Sequence, residues 1–410
     1  MSDLFDTRMK TRHRTGKVWN ILFRISTTVG VVVLSLLLFT IINNAFGYVA
    51  FEYNIDPDSI TSNGLTLEEM GKDDLIIVLQ ENVSKGLFRN LEHELSFTER
   101  TREDVYGLVL ERVVNPEIVG VWNVWDSIRF SKDELLLQVK DKHPNAEIEF
   151  LSWLDLQFLI SPQSSDVIRA GIRTAIFGSL WTILVAILFS FPIGVGAAIY
   201  LEEYAENNRL NRFIRTNIYN LSGVPSIIYG MLGLAIFVRM LNDITSGAIF
   251  GIVDPVNSNG RTILSAGMTL GILILPMLII NAQEAIRAVP NSLRLASYGL
   301  GGTRWQTIWH HVLPGALSGI LTGTILAISR AFGETAPLVV VGASTFISQD
   351  PNSIFSKFTT LPIQIYQWTS RPQAEFRSIA AAAILVLLFL LLSLNTTAIL
   401  LRNRYSRRLN

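Results

Sequence analysis

Residues 293–337, LRLASYGLGGTRWQTIWHHVLPGALSGILTGTILAISRAFGETAP, decide the fold. The first half is polar, amphipathic and punctuated by Gly299, Gly301 and Gly302. The second is an apolar helix that closes on Arg330 and Glu334, one turn apart. Leu293, Ala296 and Leu300 recur at helical spacing before the glycines, and Trp305, Ile308 and Trp309 after them. The glycines permit a sharp turn between two short helices. Pro314 falls near the start of the apolar helix, where a missing amide hydrogen costs little. The pattern predicts a helix-turn-helix protruding from a membrane with an aromatic face in need of a partner. An interfacial helix pair lying among headgroups, anchored by Trp305 and Trp309, fits the same composition.

The rest of the chain agrees with a membrane setting. Of 410 residues, 49% are hydrophobic and 17% charged, too apolar for an ordinary soluble protein. A formal net charge of zero gives no electrostatic case for nucleic acid as a partner. The absence of cysteine excludes disulfides and thiolate metal sites, and no metal site is expected. Six apolar runs can each cross roughly 30 Å of hydrocarbon, which takes about 20 helical residues. They are residues 25–51, 174–201, 216–238, 263–280, 312–329 and 378–401. Basic side chains flank them unevenly. Arg12, Arg14 and Lys17, then Arg209, Arg212 and Arg215, then Arg287, Arg294 and Arg304, and finally Arg402 and Arg404 share one side of a six-span chain. The positive-inside bias makes that side cytoplasmic, so both termini are expected inside a multi-pass protein of the cytoplasmic (inner) membrane.

Residues 52–165, between spans one and two, differ in kind and hold acids such as Asp73, Asp74, Glu92, Glu103 and Asp104. The run Leu75 to Leu79 reads as a buried strand, and Ile148 and Phe150 alternate like a half-buried one. Thr101 with Asp104, and Ser131 with Glu134, match the capping box, so helices should follow each. Val105, Leu108, Val109 and Val113 would line one face of the first. A small extracytoplasmic α/β domain is expected, serving either as a docking platform or vestibule, or as a stability or assembly module.

The run LASYGLGGTRWQTIWHHVLP resembles the coupling loop of ABC-importer permeases, the EAA loop, which docks onto nucleotide-binding subunits. Ala296, Gly301, Leu313 and Pro314 match its pattern, while Leu295 replaces its usual glutamate and His311 an isoleucine. Further runs are similar to the A-type permease family of phosphate importers (PstA): FPIGVGAAIYLEEYA at 191–205, GVPSIIYGMLGLAIFV at 223–238, ILTGTILAISRAFGETAPL at 320–338 and LPIQIYQW at 361–368. The resemblance implies a type I ABC importer permease of six transmembrane helices, carrying the insert between helices 1 and 2. The expected plan is a tail at 1–24, helix 1 at 25–51, the insert at 52–165, the permease domain at 166–401 with its coupling loop at 281–313, and a tail at 402–410. It also implies partners: a second permease (PstC-like), two ATP-binding subunits (PstB-like), an extracytoplasmic phosphate-binding protein (PstS-like) and membrane lipid. Leu295, Ala296, Gly301, Gly302, Trp305, Leu313 and Pro314 would couple to the ATPase. The chain is not expected to be an enzyme or to bind a cofactor, and with no G-x-x-x-x-G-K-[ST] loop it cannot cradle ATP by that device. ATP and Mg belong to the partner.

Carrying phosphate through hydrocarbon means replacing its hydration with fixed donors. Arg330 is permanently charged and grips two oxygens at once. Glu334 should pair with it on one helix face and neutralise it at rest. Ser329 and Thr335 add hydroxyls, and Gly333 permits close backbone approach. A pair that merely snorkels at the outer interface is the competing reading. Glu202 and Glu203 line an exit, touch the ATPase or end a solvated helix, and Gly194, Gly196, Gly230 and Gly233 serve close helix packing. The mechanism expected is alternating access driven through the loop. Permeases for molybdate, tungstate or sulfate, and a membrane sensor, are the alternatives.

Overall fold

The computed structural model describes residues 2–53, 55, 60, 65–94, 96–251, 259–343, 346–347 and 349–409. The chain divides into two compact units, Met1–Trp153 and Leu154–Asn410. In the first, helix α1 (Ser2–Ala45) runs directly into strand β1 (Phe46–Tyr53). The first apolar run is therefore helical only to Ala45 and does not reach Phe51. Its last residues, FGYVAFEY, are aromatic and β-branched at close intervals and suit a pleated surface. β1 is the centre of an antiparallel sheet, with β2 (Pro116–Val121) on one side and β3 (Glu147–Ser152) on the other. Val49 faces Val121, and Phe46 faces Ser152.

Helices α2 (Lys72–Asn82), α3 (Lys85–Glu94) and α4 (Arg102–Val109) pack into a separate apolar cluster. The run Leu75 to Leu79 lies inside α2 and is not a strand. Leu75, Val78 and Leu79 are the buried positions, which is helical spacing, and Asp73 and Asp74 in the first turn favour the helix dipole. Burying Leu75 or Leu79 contributes about 1.5–3 kcal/mol each. Both expected capping boxes form. Thr101 caps α4, and Ser131 caps α6 (Lys132–Lys140), which follows the short helix α5 (Val124–Arg129). Val105, Val109 and Val113 are buried in the same cluster and Leu108 packs against it. In β3, Ile148 is buried, but Phe150 is exposed and meets Tyr48 edge-on at 5.6 Å between ring centres.

The second unit opens with α7 (Leu156–Ile160) and contains the remaining membrane helices. α8 (Arg173–Ile199), α12 (Ile263–Arg287), α15 (Leu313–Phe332) and α18 (Ala374–Leu409) are long and apolar, and with α1 they make five candidate crossings among the described residues. A sixth is the pair α9 (Arg209–Ser222) and α10 (Ser226–Gly233), bent by 105° at the break between them. The expected continuous third span is thus broken, and Pro225 is the reason. Its nitrogen cannot donate to the Leu221 carbonyl, and its ring disfavours helical backbone at Val224. Tyr229 replaces the missing donor, its hydroxyl reaching that carbonyl at 2.7 Å. Short helices α11 (Asn242–Thr245), α13 (Asn291–Gly299), α14 (Arg304–Thr307), α16 (Ala336–Val341) and α17 (Leu361–Thr369) complete the unit.

Glycines hold the helices of this unit close. A Cβ on Gly230 would fall 2.6 Å from Pro337 Cα, so α10 and α16 meet backbone to backbone. Gly194 sits 3.2 Å from Leu278 by the same measure and Gly233 abuts Thr269, whereas Gly196 has open space.

Candidate coupling loop and anion site

α13 ends in a Schellman motif. Gly302 N–H donates to the Ser297 carbonyl at 3.0 Å and Gly301 N–H to that of Tyr298 at 2.9 Å. Gly301 adopts φ 81°, the left-handed conformation this motif requires at that position. Thr303 then starts the next helix through a capping box with Gln306. The hydroxyls of Ser297 and Thr307 meet at 2.8 Å, tying the two helices of the turn together.

The second helix does not stop before the span. α14 continues through a π turn at Ile308–Val312 into α15, unbroken from Arg304 to Phe332. Pro314 gives the physical reason, because it offers no N–H to the His310 carbonyl and the wider turn accommodates its ring. Ile308 and Val312 are buried beneath it, and Leu313 packs on the cluster formed by Ala282, Ile286, Val289 and Ala316. Leu313 and Pro314 thus belong to the base of the loop. The free surface is made by Leu295 (62% exposed), Ala296, Leu300 (92% exposed) and the Trp305–Trp309 pair, whose rings stack at 5.5 Å.

The two glutamates in the π turn that continues α8 are not a solvated helix end. Glu203, only 7% exposed, binds Arg294 of α13 at 2.7 Å, and Arg294 also donates to the carbonyls of Ile286 and Val289. Glu202 accepts from Arg215 at 2.8 Å, from Arg287 at 2.9 Å and from Gln283 at 2.9 Å. These pairs fasten α8 to α9, α12 and α13. Sequence reading could not join them, since Glu203 and Arg294 stand 91 positions apart. The only signal was the double glutamate ending an apolar span opposite unmatched arginines.

At the other end of α15, Arg330 Nε lies 3.5 Å from Glu334 Oε1, with side chains 45% and 19% exposed. The pair forms, but not along one helix face. α15 ends at Phe332, and Glu334 lies in the following turn, where its N–H donates to the Ala331 carbonyl. Ser329 points elsewhere, its hydroxyl donating to the Asn395 side chain of α18 at 2.6 Å. Gly333 makes no close approach within the chain, for a Cβ there would meet only the Arg330 carbonyl, at 3.8 Å. Thr335 precedes α16 and accepts the Val339 amide through its carbonyl, and two residues on Pro337 packs against Gly230 of α10. The structure therefore brings Arg330 and Glu334 together, with Thr335 one residue on, and sends Ser329 to α18.

Long apolar helices, with an exposed, ion-pinned turn at the foot of one and an arginine–carboxylate pair at its head, define a multi-pass membrane protein. Residues 190–410 match the family model described as binding-protein-dependent transport system inner membrane component, and the chain belongs to that family. It is 33% identical over 261 residues to the probable ABC transporter permease protein YqgI of Bacillus subtilis (strain 168), covering 60% of this chain and 83% of that protein. It is 32% identical over 254 residues to the phosphate transport system permease protein PstA of Xylella fastidiosa (strain 9a5c), covering 61% of this chain and 81% of that one. The PstC permease of the same strain matches at 32% over 250 residues, covering 58% and 76%.

Proposed function

We propose that this chain is the A-type permease subunit of an ATP-driven importer of inorganic phosphate. The observation that carries the reading is the Arg330–Glu334 pair, at the far end of the one continuous helix that starts in the exposed coupling turn. Relatives named as phosphate transport permeases support the substrate. The two Xylella subunits match equally well, so the A-type assignment rests on the sequence runs and not on overall identity. In this reading the termini and the coupling turn are cytoplasmic, and the first unit's sheet and its helices α2 to α6 are extracytoplasmic. A second permease completes the pathway, two ATP-binding subunits supply the energy, and an extracytoplasmic binding protein delivers phosphate. Leu295, Ala296, Leu300, Trp305 and Trp309 form the apolar surface that meets an ATP-binding subunit.

In the resting channel Glu334 neutralises Arg330. An arriving phosphate competes for the guanidinium, whose planar fork holds two of its oxygens. The displaced carboxylate then accepts a proton-bearing phosphate hydroxyl or turns surplus anions away. The chain's own contribution is to present and release that fork, while hydrolysis belongs to the partner. Uptake of labelled phosphate by the co-purified complex in proteoliposomes tests the reading, with molybdate, tungstate and sulfate as competitors. Only unlabelled phosphate should compete. Uptake blocked by tungstate and indifferent to phosphate overturns the substrate assignment.

A further inference from the structure

The first unit contains an apolar face that the permease reading leaves unused. α5 has six residues, and its outward face carries Trp125 (59% exposed), Ile128 (76% exposed) and Arg129, at i, i+3 and i+4. Its inward side is held firmly. Trp125 N–H donates to the Asn43 side chain at 2.8 Å, and the Ser127 hydroxyl accepts the Tyr48 amide at 3.0 Å. Trp122 N–H donates in turn to the Tyr48 carbonyl at 2.9 Å. α5 is therefore fastened to the place where α1 gives way to β1.

The depth of that place follows from α1 itself. Arg24 is its last charged residue, and 21 residues separate it from the start of β1 at Phe46. At 1.5 Å per residue they span about 31 Å, the thickness of the hydrocarbon layer. With Arg24 at one boundary, Asn43 lies at the other, and a bonded Trp125 amide cannot stand far from the same plane. A Trp, an aliphatic side chain and an Arg on one free face are the composition of the interface, where indole sits among headgroups and guanidinium reaches outward. Arg129 is exposed beside them, its guanidinium lying over the Phe130 ring at 5.5 Å.

We infer that α5 is a lipid-binding element, with Trp125 and Ile128 inserted at the headgroup–acyl boundary beside the far end of α1. The occupant is lipid because the surface continues the lipid-facing span to which it is bonded. It sets how the sheet unit stands on the membrane, independently of which anion the permease carries. The chain has no cysteine, so a single label can be placed on it, with the complex lacking the introduced cysteine as the background control. Ile128→Cys, labelled with an environment-sensitive fluorophore in the full complex reconstituted into liposomes, should show blue-shifted emission. Shallow doxyl lipids should quench most of it, and aqueous iodide little. Glu81→Cys on α2 provides the contrast and should respond to iodide and not to doxyl lipid. Asn43→Leu in the Ile128→Cys background should reduce the lipid quenching by releasing α5. Quenching of the Ile128 label by iodide alone overturns the inference. So does a label shielded from both quenchers, which assigns the face to a protein partner.

Discussion

Gly301 offers the sharpest test of the coupling turn, because its energetics separate cleanly. At φ 81° any L-residue is penalised by contact between its Cβ and its own backbone. A Cβ at Gly301 would otherwise meet nothing within 4 Å, so no clash with neighbours contributes. The penalty for Gly301→Ala is then the conformational one, about 1–2 kcal/mol. That corresponds to roughly a 5- to 30-fold shift from the closed turn toward the open one. Gly301→Asn should lose less, since Asn tolerates this conformation, and Gly301→Val more, since its branched side chain adds crowding. Gly299 provides the opposite sign. It also has open space, but it lies within α13, where alanine should stabilise by about 0.5–1 kcal/mol. Hydrogen exchange of peptides spanning residues 291–303 in the full-length protein reads both effects. The amides of Gly301 and Gly302, which close the motif, should exchange faster in Gly301→Ala and slower in Gly299→Ala. In the assembled importer Gly301→Val should uncouple ATP hydrolysis from uptake. Wild-type exchange in Gly301→Ala, or greater damage from Gly299→Ala, would refute the reasoning.

Arg330→Gln should abolish phosphate uptake while the subunits still co-elute by size exclusion, and uptake near wild type would make the pair a snorkelling interface feature. Glu203→Gln leaves the part-buried Arg294 without its counter-charge, at a cost of about 1–3 kcal/mol, since its bonds to the Ile286 and Val289 carbonyls remain. It should lower the melting temperature and speed amide exchange throughout α13, whereas Glu284→Gln, at the exposed end of α12, should do neither. Thr101→Ala should cost the first unit about 1 kcal/mol, read as faster exchange in α4. The same box predicts an acid response, because the Thr101 amide and hydroxyl, with help from Arg100 and Lys72, hold the Asp104 carboxyl below its usual range. A depressed folded pKa gives stability that is present at neutral pH and lost as pH falls below about 4. Asp104→Asn should therefore flatten the acid dependence of exchange in α4, and an unchanged profile would remove Asp104 from that role.

Local chemistry was legible wherever it is encoded by near neighbours. The boxes at Thr101 and Ser131 and the turn at Gly301 each depend on residues three to five apart, and each stands where the spacing placed it. The apolar runs also marked the membrane helices, because span length is set by bilayer thickness. Ambiguity entered where one short pattern satisfies two periods. Leu75 to Leu79 is apolar throughout, so alternation and helical spacing fit equally, and the acids just before it were the discriminating feature. The break at Pro225 was visible as a proline, but hydrophobicity alone carried the span through it. The Glu202 and Glu203 pairs and the turning of Ser329 toward Asn395 depend on tertiary contacts between distant segments, which no local pattern contains.

These long-range contacts also say how the permease domain divides the work of moving. From Arg304 to Phe332 the chain is one helical rod of 29 residues, about 43 Å at 1.5 Å per residue. In the proposed importer this rod links Trp305 to Arg330 through unbroken helix. The third crossing is built the other way. Glu202 binds Arg215 and so clamps α9 to the inner ends of α8 and α12, while Gly230 against Pro337 joins α10 to α16, just after Glu334. The third crossing is thus tied at both of its ends, and the 105° bend at Pro225 lies between the two ties. Sliding α15 against that bend changes the relation of Arg330, which rides on the rod, to Glu334, which lies just before the contact with α10. In the proposed importer the Arg330–Glu334 distance, 3.5 Å here, is accordingly the coordinate on which a displacement of the coupling turn should be expressed. A spin-label or cross-linking distance across this pair that stays fixed through the ATP cycle would refute it.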